Sequence, residues 1–444
     1  MQQAIIEKYN VAVPRYTSYP PANHFVQMTE EAYREGVLLS NDARDGHLSF
    51  YFHIPFCRSL CHYCACNSYA MRGEQGLKTY VEALHREIEL VVPMIDGDRR
   101  ISQIHYGGGT PTVLPPSELR SLNDHLLSAF STISGAEIAI ECHPGYLSAN
   151  DWQGLIAAGF TRMSIGVQDM DEQVLKTAGR RPSREPIEDV VALLHDGGAT
   201  VNLDFMYGLP GQTAEGFCRS IDKAIAAAPD RLAVFSYAHV PWLKKRQLRL
   251  ERAGLPSSEE KERMFALAAE RLAAAGYVRI GMDHFVRPDD ELCKALGEGT
   301  LHRNFQGYCT RRTTGQVYAF GVTGISQLET LYAQNTRDID DYLASVASGK
   351  LPIRRGYVLS REQQVVREVI DTLMCNYQVT LNDEQRAAVN FDERALREME
   401  ADGIITLCGN TISMVHESSP FVRNVAALLD PLMKNTDRAY SKPI

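Results

Sequence analysis

Apolar and polar positions along the chain alternate between two periods, one typical of strands and one typical of helices. Short apolar or alternating runs rich in Val, Ile, Phe and Tyr predict strands, and apolar positions three and four residues apart predict helices. The predicted strands are 47–56, 101–105, 137–142, 161–167, 199–206 and 231–238, and the predicted helices are 79–92, 115–130, 150–158, 185–196, 213–227 and 257–275. This order of repeated βα units predicts an α/β fold with a parallel sheet, and places any chemistry at the carboxyl ends of the strands.

The two ends of the chain follow other patterns. Residues 1–45 contain three prolines within nine residues, at 14, 20 and 21, which predicts an extended N-terminal arm. Residues 351–444 combine two helical patterns with a hairpin turning at Gly409-Asn410, the order found in winged-helix modules. We therefore predict a central domain over 46–350 and a smaller, mostly helical domain after it.

Composition narrows the possible partners and the compartment. Hydrophobic residues make up 44% of the chain and charged residues 23%, and the net charge is −9. An acidic surface disfavours nucleic acid and anionic membranes as general partners. The chain has no apolar run of 18 residues and does not begin with a signal-peptide pattern, so we expect a cytoplasmic protein. We also expect it to be a monomer. Six scattered cysteines fit reduced thiols in that compartment.

Four of the ten cysteines lie within ten residues, in a C-x3-C-x2-C pattern followed by one more. They are Cys57, Cys61, Cys64 and Cys66. Thiolates in one tight loop are ligands for a soft metal or an iron–sulfur cluster. A structural zinc site would need a second cysteine pair at a longer distance, which the sequence lacks. Three thiolates on a four-iron cluster would leave one iron open to a small chelating molecule; the alternative is four unrelated buried thiols.

The stretch from Tyr51 to Cys57, YFHIPFC, together with Cys61 and Cys64, resembles the signature of the radical S-adenosylmethionine enzymes. This resemblance implies a partial (β/α)6 barrel and a [4Fe–4S] cluster on Cys57, Cys61 and Cys64, with S-adenosylmethionine on the fourth iron. The HIPFC lead-in and Cys66 look like the coproporphyrinogen dehydrogenase family, which acts on a tetrapyrrole without oxygen. Related haem chaperones share the lead-in but usually carry an aromatic residue in place of Cys66.

The resemblance also assigns cofactor contacts. The glycine string 107–109 with Thr110 matches a segment that binds the methionine end, although a plain tight turn is the alternative interpretation. The positions assigned to one S-adenosylmethionine molecule are Tyr51, Gly108, Gly109, Thr110, Glu141 and Ala238. The positions assigned to a second molecule are Gln168, Arg180 and Asp204. Tyr63 and Ile325 are further ligand-lining positions. The chain departs from the family pattern at His143 and at Gln316, which puts the tetrapyrrole used in question.

The substrate side of the prediction rests on Cys66, the arm and a set of arginines. The string PRYTSYP, with Arg15, resembles the arm of the same family, so Cys66 and Arg15 are the predicted catalytic residues. Candidates for the substrate carboxylates are Arg303, Arg311, Arg312, Arg354 and Arg355. The implied reaction is oxidative decarboxylation of propionates to vinyl groups by a 5′-deoxyadenosyl radical, with a small electron-donor protein as partner. The rivals are a haem chaperone and a non-catalytic iron–sulfur electron-transfer module.

Overall fold

The computed structural model describes residues 3–42, 47–310, 316–415, 421–434, 438 and 440. Its strands are β1 Val26–Gln27, β2 His47–Ile54, β3 Phe56–Cys57, β4 Tyr69–Ala70, β5 Arg100–Gly108, β6 Thr132–Cys142, β7 Arg162–Gln168, β8 Thr200–Tyr207, β9 Arg231–Ser236, β10 Val278–Ile280, β11 His284–Val286, β12 Leu301–Asn304, β13 Gly307–Thr310, β14 Gln316–Phe320, β15 Ile325–Gln327, β16 Leu331–Asn335, β17 Ile353–Val358, β18 Gln378–Thr380, β19 Ile405–Cys408 and β20 Thr411–Met414.

Helices alternate with these strands along the chain. They are α1 Gln3–Tyr9, α2 Glu30–Leu39, α3 Gly73–Val91, α4 Pro116–Ala129, α5 Ala149–Ala157, α6 Glu172–Thr177, α7 Ile187–Asp196, α8 Ala214–Ala227, α9 Leu248–Ala253, α10 Ser258–Ala274, α11 Glu291–Gly297, α12 Ile339–Ala347, α13 Arg361–Asn376, α14 Asp383–Ala388, α15 Glu393–Ala401 and α16 Val422–Leu429. Within the described residues, no helix is long and apolar enough to cross a membrane.

Six parallel strands form the centre of the large sheet in the order β2-β5-β6-β7-β8-β9, which is also their order along the chain. They correspond to the six strands expected from the sequence, so the predicted α/β partial barrel is confirmed. The sheet continues beyond them: β14 pairs parallel to β2, the antiparallel strands β15, β16, β17 and β1 follow, and β11 and β10 close the other edge. These additions were not predicted, because their runs of two to six residues carry too little periodicity.

Aromatic side chains fill the core beneath β2. Phe50 and Phe52 are fully buried, and the Phe52 ring stacks on Tyr106 of β5 with 4.7 Å between centroids. Helix α3 lays Tyr80 and Leu84 on the same core. Offset aromatic stacking adds to the hydrophobic gain from burial, so β2 is held firmly where it leads into the cysteine loop.

The N-terminal arm packs against the C-terminal region. Tyr9, Tyr16 and Tyr19 belong to one apolar core with α13 and α16. The Tyr16 hydroxyl donates to Asp430 Oδ2 at 2.9 Å, and the Arg423 guanidinium donates to the backbone carbonyls of Val13 and Pro14. The arm is therefore part of a folded core as well as a candidate for a role in the reaction.

The C-terminal region contains the predicted hairpin. β19 and β20 pair on either side of Gly409-Asn410, and β18 joins them in a three-stranded sheet. The glycine has φ +60°, a conformation that favours glycine at this turn. Strand β17 follows residue 350 in the chain but hydrogen-bonds within the large sheet.

A buried carboxyl group ties α3 to the turn after β14. Glu87 Oε2 accepts from the backbone N–H of Gly321 and from the Tyr342 hydroxyl, both at 2.7 Å, and Oε1 accepts from Asn335 Nδ2 at 2.7 Å. Burial raises the pKa of Glu87 from 4.5 to about 7. The three hydrogen bonds favour the carboxylate and so lower the pKa, but burial has the larger effect.

The Glu87 carboxyl should make stability depend on pH in a defined direction. Because its pKa is higher in the folded than in the unfolded chain, its stabilising contribution is present below pH 4.5 and is lost as the pH rises to about 7. Relative to Glu87→Gln, the wild type should lose about 3 kcal/mol of unfolding free energy across that window. Denaturant titrations at several pH values measure this, with Glu82→Gln on the exposed side of α3 as control; a difference independent of pH would contradict the assignment.

Candidate functional site

The four clustered cysteines lie on the cysteine loop, which starts at Cys57, the last residue of β3, and runs to β4. These strands pair in parallel, and the loop closes through hydrogen bonds from the Tyr69 N–H to the Pro55 carbonyl at 2.8 Å and from the Met71 N–H to the Cys57 carbonyl at 3.0 Å. Cys57 and Cys61 are buried, Cys64 is half-buried and Cys66 is exposed. The structure thus brings the three predicted ligands and Cys66 into one short loop at the carboxyl end of β2.

Hydrogen-bond donors surround the predicted ligand sulfurs. Thr110 Oγ1 donates to Cys57 Sγ at 3.4 Å, and Arg180 Nη1 donates to Cys61 Sγ at 3.5 Å. Hydrogen bonding from Cys66 lowers the pKa of Cys64 to about 5, whereas burial raises the pKa of Cys57. Donors of this kind stabilise cluster thiolates, so the loop fits an iron–sulfur group by its ligand chemistry. In the described part of the chain, no three His, Cys, Asp or Glu side chains are assembled for a single metal ion.

The glycine string after β5 packs directly against the cysteine loop. The Gly109 N–H donates to the Ile54 carbonyl at 2.8 Å and the Thr110 N–H to the Phe56 carbonyl at 2.9 Å. A Cβ on Gly109 would lie 2.6 Å from the backbone of Pro55, and Gly108 has φ +114°. The string thus makes a tight turn, and that turn places Thr110 beside a cysteine sulfur. Binding of the methionine end by this segment stays a prediction.

Glu141 lies at the end of β6, facing the same turn. Its carboxylate accepts from the Gly108 N–H at 3.3 Å and lies 3.4 Å from His105 Nε2. Burial opposes ionisation of Glu141, but the hydrogen bonds from His105 and Gly108 outweigh it and lower the pKa. Tyr51 packs nearby, with its hydroxyl 3.2 Å from His53 Nδ1. These groups keep an anionic acceptor beside the cysteine loop.

A second group of predicted residues lies on the next two strands. Gln168 has φ +69°, and its Oε1 is buried with no hydrogen-bond partner among the described residues. Asp204 accepts from Ser164 Oγ at 3.0 Å and from Asn202 Nδ2 at 2.7 Å, and burial raises its pKa to about 6. Asp204 and Glu141 line a polar cavity of about 230 Å³ inside the barrel. The unpartnered amide oxygen requires a donor from a ligand, whereas the Asp204 carboxyl can accept as the carboxylate or donate when protonated, so the two groups suit a polar ligand.

Arg180 bridges the cysteine loop and β7. Besides the Cys61 sulfur, it donates to the Tyr63 hydroxyl at 3.0 Å and to the Gly166 carbonyl. The structure therefore places Arg180 against the cysteine loop, where it contacts Cys61 and Tyr63. Replacing Arg180 would disturb that loop as well as any second ligand.

Ala238, Ile325 and Arg15 have different local surroundings. The Ala238 carbonyl accepts from Gln247 Nε2 at 3.1 Å. Ile325 packs at the edge of the cluster formed by Phe25, Tyr332 and Leu359. The Arg15 side chain is exposed between buried neighbours. Burial raises the pKa of Asp283, but nearby groups that include the Arg15 charge lower it overall. Burial lowers the pKa of Lys261, and the Arg15 charge lowers it further.

The remaining arginine candidates are mostly engaged in structural contacts. Arg303 is buried and donates to the Arg15 carbonyl at 3.0 Å. Arg354 pairs with Asp341, and Arg355 donates to the Phe25 carbonyl. Arg311 and Arg312 lie outside the described residues.

The two departures from the family pattern have local structural roles. His143 Nδ1 accepts from the Gly145 N–H at 3.1 Å and caps the turn after β6, and burial lowers its pKa to about 3. Gln316 donates to the Ser40 carbonyl and accepts from the Glu329 N–H, buried at the start of β14. Both side chains thus satisfy backbone groups of this chain.

Sequence reasoning missed the residues that hold the outer side of the cysteine loop. Arg246 Nη2 donates to the Cys64 carbonyl at 2.9 Å, and Gln247 Nε2 donates to the Tyr63 carbonyl at 2.7 Å. The available signal was a concentration of basic residues, Lys244, Lys245 and Arg246, in an otherwise acidic chain.

Comparisons with known proteins agree with this geometry. The model of the Radical SAM superfamily matches residues 51–224, which include the cysteine loop and the strands β5–β8. With the partial barrel, this defines the chain as a radical S-adenosylmethionine protein.

Full-length relatives make the assignment narrower. Oxygen-independent coproporphyrinogen III oxidase of Pseudomonas aeruginosa is 38% identical over 98% of this chain and 96% of that protein, and the enzyme of Synechocystis is 34% identical over the same shares. The solved coproporphyrinogen III oxidase of Escherichia coli, a radical SAM enzyme, superposes with a TM-score of 0.88 at 34% identity, covering 97% of this chain and 99% of that one. The chain belongs to the family of oxygen-independent coproporphyrinogen III oxidases.

The ligand assignment can be tested by iron content. Cys57→Ala, Cys61→Ala and Cys64→Ala should each lose most of the bound iron, because each removes one predicted thiolate ligand. Cys66→Ser, in the same loop, should keep it and serves as the matched control. Iron and sulfide analysis of the reconstituted proteins measures this. A Cys57, Cys61 or Cys64 variant with a complete cluster, or a Cys66→Ser protein without one, would overturn the assignment at that position.

Proposed function

We propose that this protein converts coproporphyrinogen III to protoporphyrinogen IX without oxygen, as a step of haem synthesis. The observation that carries the proposal is the full-length similarity to enzymes named for this activity, together with a cysteine loop at the mouth of the barrel. Each of two propionates would lose one hydrogen atom to a 5′-deoxyadenosyl radical, then carbon dioxide, and one electron to an external one-electron acceptor, leaving a vinyl group. The rival interpretations, a haem chaperone and a non-catalytic electron-transfer module, gain no support from the relatives reported above.

The cysteine loop would hold the iron–sulfur cluster. Cys57, Cys61 and Cys64 are the proposed ligands, and the donors Thr110 and Arg180 lie against two of their sulfurs. The bound [4Fe–4S] cluster and S-adenosylmethionine supply the hydrogen-abstracting chemistry. Cys66, exposed beside the cluster ligands, is free to act on the substrate side, and Arg15 would hold a propionate by a charge-assisted hydrogen bond.

The other expectations belong to the same proposal. We infer a monomeric cytoplasmic protein with an arm over 1–45, a catalytic domain over 46–350 and a C-terminal domain over 351–444. The net charge of −9 and the ten free cysteines support a reducing compartment and argue against nucleic acid and membranes as partners. A small protein is the proposed electron donor.

Activity and the role of the arm are tested on one set of samples. Anaerobic incubation of the wild type with coproporphyrinogen III, S-adenosylmethionine and dithionite should release carbon dioxide and form vinyl products. Arg15→Ala should keep its iron and its thermal stability but lose about tenfold or more in product formation, because a carboxylate contact is removed. Lys8→Ala is the control, because Lys8 lies on the same arm, pairs with Glu398 and Asp402 and has no predicted contact with the substrate.

The point variant is sharper than deletion of residues 1–22, because Tyr16 and Tyr19 lie in the C-terminal core and their loss would destabilise the fold. Formation of 5′-deoxyadenosine by the wild type without vinyl products would contradict the proposed substrate. Full specific activity of Arg15→Ala per cluster-loaded molecule would contradict only the role of Arg15.

Two S-adenosylmethionine molecules would bind at neighbouring positions. Glu141 and Ala238 belong to one proposed position, and Gln168, Arg180 and Asp204 belong to the other. Glu141 and Asp204 line the same cavity, so the two positions would adjoin there. The buried, unpartnered oxygen of Gln168 supports the second.

Asp204→Asn should lower the stoichiometry from two molecules to one while leaving iron content unchanged, because Asp204 has no contact with the cysteine loop among its recorded hydrogen bonds. Equilibrium dialysis with labelled S-adenosylmethionine measures the number. Asp189→Asn on α7, outside the cavity, is the matched control. A wild-type stoichiometry of one would remove the second site, and an unchanged stoichiometry of two in the variant would remove Asp204 from it.

A further inference from the structure

One surface segment contrasts with the rest of the chain in charge and in exposure. Residues 240–252 contain five basic side chains and one acidic side chain, in a protein with a net charge of −9. Trp242 and Leu243 within it are 69% and 71% exposed, more than any other large apolar side chain in the described part of the chain. An exposed apolar pair surrounded by cationic groups has the composition of a protein interface, with an aromatic centre and a charged rim.

This basic segment, residues 240–252, runs antiparallel along the cysteine loop. Lys244 Nζ donates to the Cys66 carbonyl at 2.8 Å, and the Arg246 guanidinium donates to the Cys64 carbonyl at 2.9 Å. Further along, Arg249 Nη1 lies 3.1 Å from His62 Nε2. A molecule docked on the segment would therefore be separated from the cysteine loop by one layer of side chains.

The segment is distinct from the cavity inside the barrel. Glu141, Asp204 and His284 line that cavity, and none of the described residues of the basic segment does. The anionic groups of a substrate held in the barrel therefore do not explain why Trp242 and Leu243 are exposed.

We propose that the basic segment is the docking surface for an acidic one-electron carrier protein that reduces the cluster. The proposal deepens the proposed function, on which it rests, by naming the surface and the charge of the donor. Opposite charges steer encounter and orient the carrier, and the apolar pair gives it a desolvated contact. In the transfer, one electron leaves the reduced carrier and enters the cluster, with no exchange of protons or atoms. A small interface of this kind allows the oxidised carrier to leave quickly.

The test separates docking from the integrity of the cysteine loop. Lys245 and Arg252 are exposed and make no recorded contact with that loop, so the double variant Lys245→Glu/Arg252→Glu changes the charge of the surface alone. Trp242→Ser tests the apolar contact. Lys223→Glu is the matched control. Lys223 lies in the second half of α8, which runs toward the amino ends of the strands and so away from the cysteine loop at their carboxyl ends.

Binding is measured by calorimetry on the cluster-loaded protein, with a bacterial flavodoxin and a [2Fe–2S] ferredoxin, both acidic, as probes. At least one carrier should bind the wild type with an affinity that falls as salt rises. The double variant and Trp242→Ser should each bind it about tenfold or more weakly, whereas Lys223→Glu should bind as the wild type does.

Activity with dithionite keeps this test independent of the proposed function. All four proteins should form product equally with dithionite, and the two docking variants should be slower only with the carrier. Unchanged carrier affinity in both docking variants, or no salt-dependent binding of either carrier, would overturn the docking surface. An equal loss with dithionite and carrier would instead assign the segment to the substrate. A wild type inactive with dithionite but binding the carrier would overturn the proposed function and leave the docking surface standing.

Discussion

The structure depends on one constraint: a short cysteine loop must be held rigid enough to keep its sulfurs in place with no regular element of its own. Its backbone is fixed from two sides. The glycine turn after β5 donates to the Ile54 and Phe56 carbonyls on one side, and Arg246 and Gln247 donate to the Cys64 and Tyr63 carbonyls on the other. Buried backbone groups must be paired, and here their pairing also sets the position of the site.

The position of the loop in turn depends on the sheet. β2 ends at Ile54, three residues before Cys57. It pairs in parallel with β5 over its whole length and with β14 from Leu48 to Phe52. The Glu87 carboxyl fixes the turn after β14, and Tyr80 bonds the His53 carbonyl at 2.8 Å. The cysteine loop is thus supported by groups from α3 and from a strand more than 250 residues away in the chain, which makes the whole barrel necessary for the site.

Much of this arrangement could be predicted from the sequence. The six parallel strands are six to eleven residues long and rich in apolar and β-branched residues, and the spacing of the cysteines is typical of a cluster site, so both could be predicted. The strands β14–β17 were missed because their pairing is set by tertiary contacts. Arg246 and Gln247 were missed because the run of basic residues 244–246 indicates a charged surface, whereas their partners are backbone carbonyls, which no sequence pattern identifies. The arm was recognised from its prolines, but only the structure shows that Tyr16 and Tyr19 also belong to the C-terminal core.

The central claim is that three cysteines hold a four-iron cluster with one iron open to S-adenosylmethionine. Mössbauer spectroscopy of the ⁵⁷Fe-reconstituted protein, with and without S-adenosylmethionine, tests it most directly, because the isomer shift of an iron site depends on the ligands of that iron. The account predicts that one iron in four changes its isomer shift when S-adenosylmethionine is added, while the other three, on Cys57, Cys61 and Cys64, stay unchanged. A spectrum in which all four irons are equivalent and unaffected by S-adenosylmethionine would contradict it.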